Sequence, residues 1–185
     1  MMKLKEELMS TTSNMVLNKK IIIIGCGGSG KTTFAKELSK KTGFPVVHLD
    51  QLYWRAGWQH ASRSEFDSLL KDELVKDSWI MDGNFNRTIP ERAKYCDTII
   101  YFDFPRITCL LGVIKRVVTN YGKTRTDMGV DCPEKFDMEF LKWVWNFNKN
   151  NRHEYYKILS NSKDRDIFIV HTHKECRKLI NQLDG

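Results

Sequence analysis

The sequence lacks any long apolar run. Its longest uninterrupted apolar stretches are short, such as residues 21–24. A helix that crosses a bilayer needs roughly 20 apolar residues, so we expect no membrane-spanning helix and no membrane partner. Polar residues interrupt residues 1–20, which argues against a secretory signal.

Proline and paired cysteines are also scarce. The chain of 185 residues has 4 prolines and no stretch rich in proline, glycine and serine that would mark a linker. At roughly 100–200 residues per domain, this length predicts one compact domain. The 5 cysteines include no Cys-x-x-Cys pair, which argues against a zinc or redox centre. Scattered, reduced thiols favour a cytoplasmic location.

Acidic residues are outnumbered by basic ones. The chain has 30 Lys and Arg against 23 Asp and Glu, a formal net charge of +7. Such a surplus predicts attraction to polyanions, a class that includes nucleotides, phosphorylated metabolites and nucleic acids. No segment has the pattern of a helix-turn-helix or another base-reading element, so a nucleic-acid partner has no motif to support it.

Short apolar runs alternate with segments of helical periodicity. The runs predict buried strands at residues 21–24, 46–49, 79–81, 98–102 and 167–170. Helices are predicted at residues 31–40, from 62, over an apolar stripe at 107–121, from about 136, and from 172 to 183. We interpret Phe140, Trp143 and Phe147 of the fourth helix as core packing. The alternation predicts a three-layer α/β/α domain with a mostly parallel sheet, whose ligands bind beyond the carboxyl ends of the strands.

A glycine-rich loop follows the first predicted strand. It reads Gly-Cys-Gly-Gly-Ser-Gly-Lys-Thr and matches the P-loop pattern G-x-x-x-x-G-K-[ST] between a strand and a helix. Such a loop wraps phosphates with backbone N–H groups, its lysine reaches the β- and γ-phosphates, and its threonine ligates magnesium. The predicted ATP site is Gly25, Gly27, Gly28, Ser29, Gly30, Lys31, Thr32 and Thr33, with Thr32 also a magnesium ligand.

Two other nucleotide-binding classes fit this region less well. Gly25, Gly27 and Gly30 also satisfy the dinucleotide pattern, and Asp50 stands where that fold has its ribose-binding acid. A loop that binds a dinucleotide needs neither a lysine nor a magnesium-binding hydroxyl at positions 31 and 32. The presence of Lys31 and Thr32 therefore favours the P-loop. A GTPase needs Asn-Lys-x-Asp to read its base, and residues 148–151 lack the aspartate. A small phosphotransferase is the remaining P-loop class.

Two carboxylates follow predicted strands beside the P-loop. Asp50 ends the second strand and Asp82 follows the third. Asp82 is predicted to hold magnesium directly or through water, and Asp50 to accept the proton of an acceptor hydroxyl. The alternative for each is a turn or cap role.

The segment beyond Asp50 is aromatic and cationic. Tyr53, Trp54 and Arg55 are predicted to bind the acceptor, although the tryptophans of residues 51–60 would equally pack beneath the loop. Arg87 is predicted to clamp an anionic acceptor, with a surface role as the alternative.

Residues 115–136, approximately, are basic and punctuated by glycine and proline. We expect a mobile lid that excludes water and brings arginines to the transferring phosphoryl group. Arg116, Arg125 and Arg152 are candidates, of which Arg116 and Arg125 are assigned as catalytic. The alternative for each is a solvated surface charge.

Taken together, these segments resemble the P-loop nucleotide-kinase-like family that includes adenylate and shikimate kinases. More narrowly, they resemble proteins described as DNA topology modulation proteins, or FlaR-related. The resemblance rests on residues 25–32, 48–54, 79–85, 103–106 and 125–145. It covers nearly everything after residue 18, so we divide the chain into an N-terminal extension, 1–18, and a kinase-like domain, 19–185.

The resemblance implies a sheet of about five parallel strands, ATP with Mg²⁺ at the P-loop, and a lid after the long helix. Similarity to shikimate kinases gives Asp50 an acceptor-binding role. Similarity to adenylate kinases carries Asp82 onto their Asp-Gly turn, with the following arginine one residue later here, at Arg87.

The leading hypothesis is a cytoplasmic ATP-dependent kinase that acts on a nucleoside, a nucleotide or another small metabolite. The alternative is an ATP-binding regulator linked to nucleic acid, without a dedicated acceptor. The sequence indicates no particular acceptor and no oligomeric state.

Overall fold

The fold is built on a five-stranded parallel sheet with helices on both faces. A computed structural model describes residues 19–182. The sheet order is β2-β5-β1-β6-β7, and β3 and β4 form a separate two-stranded antiparallel hairpin. The strands are β1 (Lys20–Gly25), β2 (Val46–His48), β3 (Trp54–Arg55), β4 (Gln59–His60), β5 (Trp79–Asp82), β6 (Thr98–Phe102) and β7 (Asp166–Val170).

Within the described part of the chain, seven α-helices connect and cover these strands. They are α1 (Lys31–Thr42), α2 (Leu49–Tyr53), α3 (Arg63–Leu74), α4 (Ile89–Tyr95), α5 (Arg106–Asn120), α6 (Met138–Asn161) and α7 (His173–Gln182). Among residues 19–182, no helix combines the length and apolar character that a membrane span requires.

The core is centred on β1, which lies between β5 and β6. Ile21, Ile22, Ile23 and Ile24 are all fully buried, as a continuous apolar run predicts for a parallel strand covered on both faces. The strand then ends at Gly25, so the glycine-rich loop opens at the carboxyl edge of the sheet. The three-layer α/β/α architecture predicted from the sequence is confirmed.

The predicted elements correspond closely to the observed ones. All five strands of the sheet are confirmed with bounds within one residue. The Ser62 hydroxyl accepts a hydrogen bond from the Glu65 N–H and caps α3, as the capping-box pattern predicted. The predicted extension at residues 1–18 and the predicted end of the last helix at Leu183 lie outside the described residues.

The segment after β2 differs from the prediction. Asp50 was expected after the end of a strand, but it lies in the first turn of α2, because the strand stops at His48. Residues 51–60 are not an open loop. They complete α2 and form the β3-β4 hairpin around a 3-10 turn, where Gly57 has a φ of 69°.

The orientation of α5 also differs from the expected one. The apolar stripe at residues 107–121 predicts a helix, which is confirmed, but most of that stripe faces solvent. The buried residues of α5 are Cys109, Val113 and Val117. A Cβ added at Gly112 would overlap the carbonyl oxygen of Gly28, so α5 packs its small-residue face on the glycine-rich loop.

Candidate functional site

The glycine-rich loop joins β1 to α1 and has the conformation of an anion cradle. Gly28 and Gly30 have φ angles of 77° and 94°, in the left-handed region that favours glycine. Lys31 reaches back across the loop, and its Nζ donates a hydrogen bond of 2.8 Å to the Cys26 carbonyl. Since the α1 N-terminus lies directly behind the loop, the site suits a phosphate chain.

Asp82 lies beside this loop at the end of β5. Its Oδ2 accepts a 2.6 Å hydrogen bond from the Thr32 hydroxyl, and His48 Nδ1 lies 3.3 Å from the same oxygen. Burial acts to raise the pKa of Asp82. The hydrogen bonds from His48 and Thr32 and the charge of Lys31 outweigh burial, so the pKa lies below its ordinary value. Mg²⁺ is usually bound by one or two protein oxygens, while phosphates and water provide its other ligands. The ionised carboxylate and the threonine hydroxyl suit this role.

Asp50 faces the same space from α2 and has the opposite pKa shift. It is half-buried. Burial and the charge of Asp82 raise its pKa to about 6, against the opposing charges of Arg125 and Lys31. When the pKa values of two neighbouring carboxyl groups diverge, one group commonly stays ionised while the other exchanges a proton. Here Asp82 has the lowered pKa and Asp50 the raised one.

A cleft of about 520 Å³ connects the loop with both carboxylates. Tyr53 and Trp54 line it from the hairpin side. The predicted residues that line the cleft are Gly27, Gly28, Gly30, Lys31, Thr32, Thr33, Asp50, Tyr53, Trp54, Asp82, Arg116 and Arg125.

Three predicted arginines do not line this cleft. Arg55 forms an ion pair with Glu65 at 2.6 Å and donates to the Leu52 carbonyl. The guanidinium of Arg87 donates two hydrogen bonds to the Asp67 carboxylate on α3. Arg152 donates two hydrogen bonds to Asp103 Oδ2, at 2.7 and 3.0 Å.

No local pattern in the sequence indicates these partners. In each case, a carboxylate on a neighbouring element attracts the guanidinium away from the cleft. The structure therefore does not bring Arg55 and Arg87 to the acceptor side of the cleft, and it does not bring Arg152 to the cleft for a role on the transferring phosphoryl group.

The lid was predicted at about residues 115–136, but residues 115–120 belong to α5. The segment between α5 and α6, residues 121–137, keeps the name lid below and lies folded on the β3-β4 hairpin. The Trp58 Nε1–H donates to the Pro133 carbonyl at 3.1 Å, and the Gly57 N–H donates to the Asp131 carbonyl at 2.9 Å. A Cβ at Gly129 would overlap the Trp54 carbonyl oxygen. The hairpin is thus a platform for the lid, while its Trp54 ring also borders the cleft.

Two arginines meet a buried glutamate where the lid joins α5. Arg116 Nη2 donates to Glu134 Oε1 at 3.1 Å, and Arg125 Nε lies 2.9 Å from Glu134 Oε2. Arg125 also donates to Asp127 at 2.6 Å. Burial and the charge of Arg125 lower the pKa of Arg116. The glutamate holds the two cations side by side at the edge of the cleft.

Two aromatic residues line the cleft that the sequence did not predict to be there. Phe140 and Trp143 were interpreted as core packing, but their stacked rings, 5.5 Å apart, border the cleft. A Cβ at Gly27 would lie 2.9 Å from the Phe140 ring. Their spacing on the helix was the same as that of core residues, and nothing in the sequence indicated that α6 passes over the glycine-rich loop.

The segment 83–85 between Asp82 and α4 is held in a strained conformation. Phe85 has a φ of 40°, and the Asn84 side chain accepts a hydrogen bond of 2.9 Å from the Gly25 N–H. The fully buried Arg92 donates to the carbonyls of Gly83 and Asn84, and burial lowers its pKa to about 10. This arginine anchors the loop, and no motif in the sequence predicted its role.

Comparison with known proteins bears on the fold. A solved structure, "Shikimate kinase from Acinetobacter baumannii in complex with shikimate", matches with a TM-score of 0.60 over 94% of this chain and 94% of that chain. The chain has a shikimate kinase-like fold. The two sequences are 13% identical, so the likeness concerns the P-loop kinase-like architecture.

One family model matches part of the chain. The model described as "IPT: Isopentenyl transferase" matches residues 18–87. That stretch contains the glycine-rich loop, Asp50 and Asp82, and it ends before the lid. No curated protein matches the chain.

Proposed function

We propose that this protein is an ATP-dependent phosphotransferase that moves the γ-phosphoryl group of ATP to a small acceptor held beside Asp50. The observation that carries the proposal is the meeting of three groups in one cleft: Lys31 on a phosphate-binding loop, the Thr32–Asp82 oxygen pair, and a second carboxylate, Asp50, with a raised pKa. The shikimate kinase-like fold supports it.

The loop side of the cleft binds the phosphates. Backbone N–H groups of the loop and Lys31 hold the phosphate chain, while Thr32 and Asp82 would hold Mg²⁺, directly or through water, to neutralise the charge on the phosphates. Arg116 and Arg125 border the same cleft, and we assign to them the stabilisation of the equatorial oxygens of the transferring group.

Asp50 acts on the acceptor. It hydrogen-bonds the acceptor hydroxyl and takes its proton as the new oxygen–phosphorus bond forms and the bond to the ADP oxygen breaks. A pKa of about 6 leaves Asp50 mostly ionised at neutral pH, which makes it a competent proton acceptor there.

The charges around Asp50 favour an uncharged acceptor. Arg125 is already paired with Asp127 and Glu134, and the acceptor side presents the carboxylates of Asp50 and Asp127. Lys36 also lines the cleft and donates a hydrogen bond to the Thr126 hydroxyl. An anionic acceptor would have to recruit this lysine against the two carboxylates. Among the described residues that line the cleft, the aromatic rings at this end belong to Tyr53, Trp54 and Phe85. These rings suit a flat, neutral compound with a hydroxyl group, such as a nucleoside.

Isopentenyl transfer is a second candidate function. It is favoured by the family model that matches residues 18–87. In that case the loop would hold the diphosphate of an isopentenyl donor, and the acceptor would still lie beside Asp50. Arg116 and Arg125 lie outside the matched stretch, whereas phosphoryl transfer uses them together with the loop.

We also propose that the chain is related to the DNA topology modulation proteins, and we assign it no activity on that ground. A nucleic-acid-linked regulator without an acceptor stays the alternative, supported by the net charge of +7. We also propose a cytoplasmic location, supported by five free, buried cysteines.

The test is ADP release from magnesium-ATP in the presence of nucleosides, their 5′-monophosphates and small hydroxy acids. We expect a nucleoside-type acceptor to stimulate release at least tenfold more than its monophosphate. Lys31→Ala should abolish the stimulation, and Lys40→Ala, an exposed lysine of the same helix, should retain it.

Two outcomes would count against the proposal. Stimulation by monophosphates alone would refute the uncharged acceptor, and no stimulation by any acceptor would refute phosphoryl transfer. A parallel assay with an isopentenyl diphosphate donor and the same acceptors measures pyrophosphate release, which would support the second candidate.

A further inference from the structure

One face of α5 exposes a continuous apolar stripe that the cleft does not use. Its side chains are between 45% and 75% exposed in the described part of the chain. Successive members are separated by four, three, four and three residues, so the first four lie in one row along the helix, and the last, Tyr121, directly follows its end. The row, which we call the α5 face, is Ile107, Leu111, Ile114, Val118 and Tyr121.

The neighbouring helix α6 extends this face. The two helices pack against each other, and the Arg106 guanidinium lies 4.4 Å from the centroid of the Trp145 ring. Trp145 and Met138 of α6 are 45% and 54% exposed. The combined surface therefore spans two adjacent helices.

The α5 face is poor in charge. Between Ile107 and Val118 the helix carries two charged residues, Lys115 and Arg116. Arg116 turns inward to Glu134. Arg106, which stacks on Trp145, and Lys115 flank the row on its two sides, so no charged side chain interrupts the row itself. Depletion of charge over an apolar centre is characteristic of the core of a protein interface.

The exposed area is of the size that a stable interface needs. With these fractions exposed, the seven side chains of α5 and α6 present on the order of 800 Å², which is about the area that each partner buries in a standard interface. The largest apolar patch of a typical monomer is roughly 300–600 Å². A monomer would leave this surface unusually apolar.

We infer that the α5 face docks against the same face of a second copy of this chain and forms a symmetric dimer. Alternating three- and four-residue spacing lets the side chains of two helices interdigitate, and a twofold axis pairs a patch with itself. Because the stripe lies opposite Cys109 and Val113, which face the interior, the dimer would leave the cleft open. The inference does not depend on the proposed function.

The test is the mass of the full chain by sedimentation at tens of micromolar protein. We expect twice the chain mass of 21.7 kDa. Val118→Glu, within the α5 face, should reduce the mass to that of one chain. Val75→Glu is the matched control, since Val75 is 69% exposed at the end of α3 and Val118 is 75% exposed. The control should stay dimeric.

Circular dichroism would verify that Val118→Glu is folded. If that variant does not fold, the milder substitution Ile114→Ser is measured in its place. A monomeric wild-type chain would overturn the inference, whatever else covers the face. A dimer that survives both Val118→Glu and Ile114→Ser would overturn it as well, because the contact would then lie elsewhere.

Discussion

The Asp50 carboxyl group lies in surroundings that oppose its own negative charge. Burial and the neighbouring Asp82 raise its pKa from 3.8 to about 6. The folded protein therefore binds this proton more tightly than the unfolded chain does. It follows that the contribution of Asp50 to stability is most favourable below about pH 4 and is lost as the pH rises through about 6.

Asp50→Asn should stabilise the protein at neutral pH while it abolishes phosphoryl transfer. The amide carries no charge to desolvate beside Asp82, so we expect a gain on the order of 1 kcal/mol at neutral pH and little gain below pH 4. Thermal unfolding at the two pH values measures it. Asp72→Asn, an exposed aspartate of α3, should change neither value, and a lower melting temperature for Asp50→Asn at neutral pH would contradict the electrostatic account.

Individual site residues were predictable where the local sequence alone determines their position. Lys31 and Thr32 follow a recognisable loop, and Asp82 ends a strand whose neighbours are fixed by the parallel sheet. The directions of Arg55 and Arg87 depend instead on Glu65 and Asp67. These carboxylates are 10 and 20 residues away in the chain, and no local pattern indicates which of them a long, flexible guanidinium will meet.

At the scale of elements, α5 illustrates the limit of hydrophobic periodicity. The helix is apolar on two opposite faces, so the period predicts a helix without specifying which face is buried. The buried face is the one with Cys109 and Gly112, because only small residues allow the close approach of α5 to Gly28. The larger side chains are left on the outside, where the proposed dimer would cover them.

Gly112→Ala tests this close approach. In an exposed helix, replacement of glycine by alanine is stabilising by about 1 kcal/mol. Here the added Cβ would overlap the Gly28 carbonyl oxygen, so we expect a loss of about 1–3 kcal/mol instead and a raised KM for ATP. Denaturant unfolding and ATP kinetics measure the two effects. Thr119→Ala, at an exposed position of the same helix, should be neutral within about 0.5 kcal/mol, and a stabilised Gly112→Ala would show that α5 can move away from the loop.

At the scale of the whole molecule, the glycine-rich loop, α5 and the lid converge on the cleft, and Glu134 joins two of them. Its side chain is 5% exposed and neutralises Arg116 from α5 and Arg125 from the lid. Without this carboxylate the two guanidinium groups would repel each other at the edge of the cleft. The γ-phosphate of ATP would supply the same negative charge, if both arginines act on it as proposed.

Glu134→Gln should therefore destabilise the free protein and increase its stabilisation by ATP. We expect a loss of about 3 kcal/mol without ligand, because one partner of a buried ion pair is removed. Saturating magnesium-ATP, about one hundred times its dissociation constant, stabilises the wild-type protein by about 2.7 kcal/mol.

The measurement is the ATP-induced shift in melting temperature, compared with Glu139→Gln, an exposed glutamate of α6. The shift should be larger in Glu134→Gln than in the wild-type protein and unchanged in Glu139→Gln. The phosphates would then replace the lost carboxylate as the partner of both arginines. A smaller shift in Glu134→Gln would mean that Glu134 positions the arginines for structural reasons alone, and their assignment to the transferring phosphoryl group would have to be withdrawn.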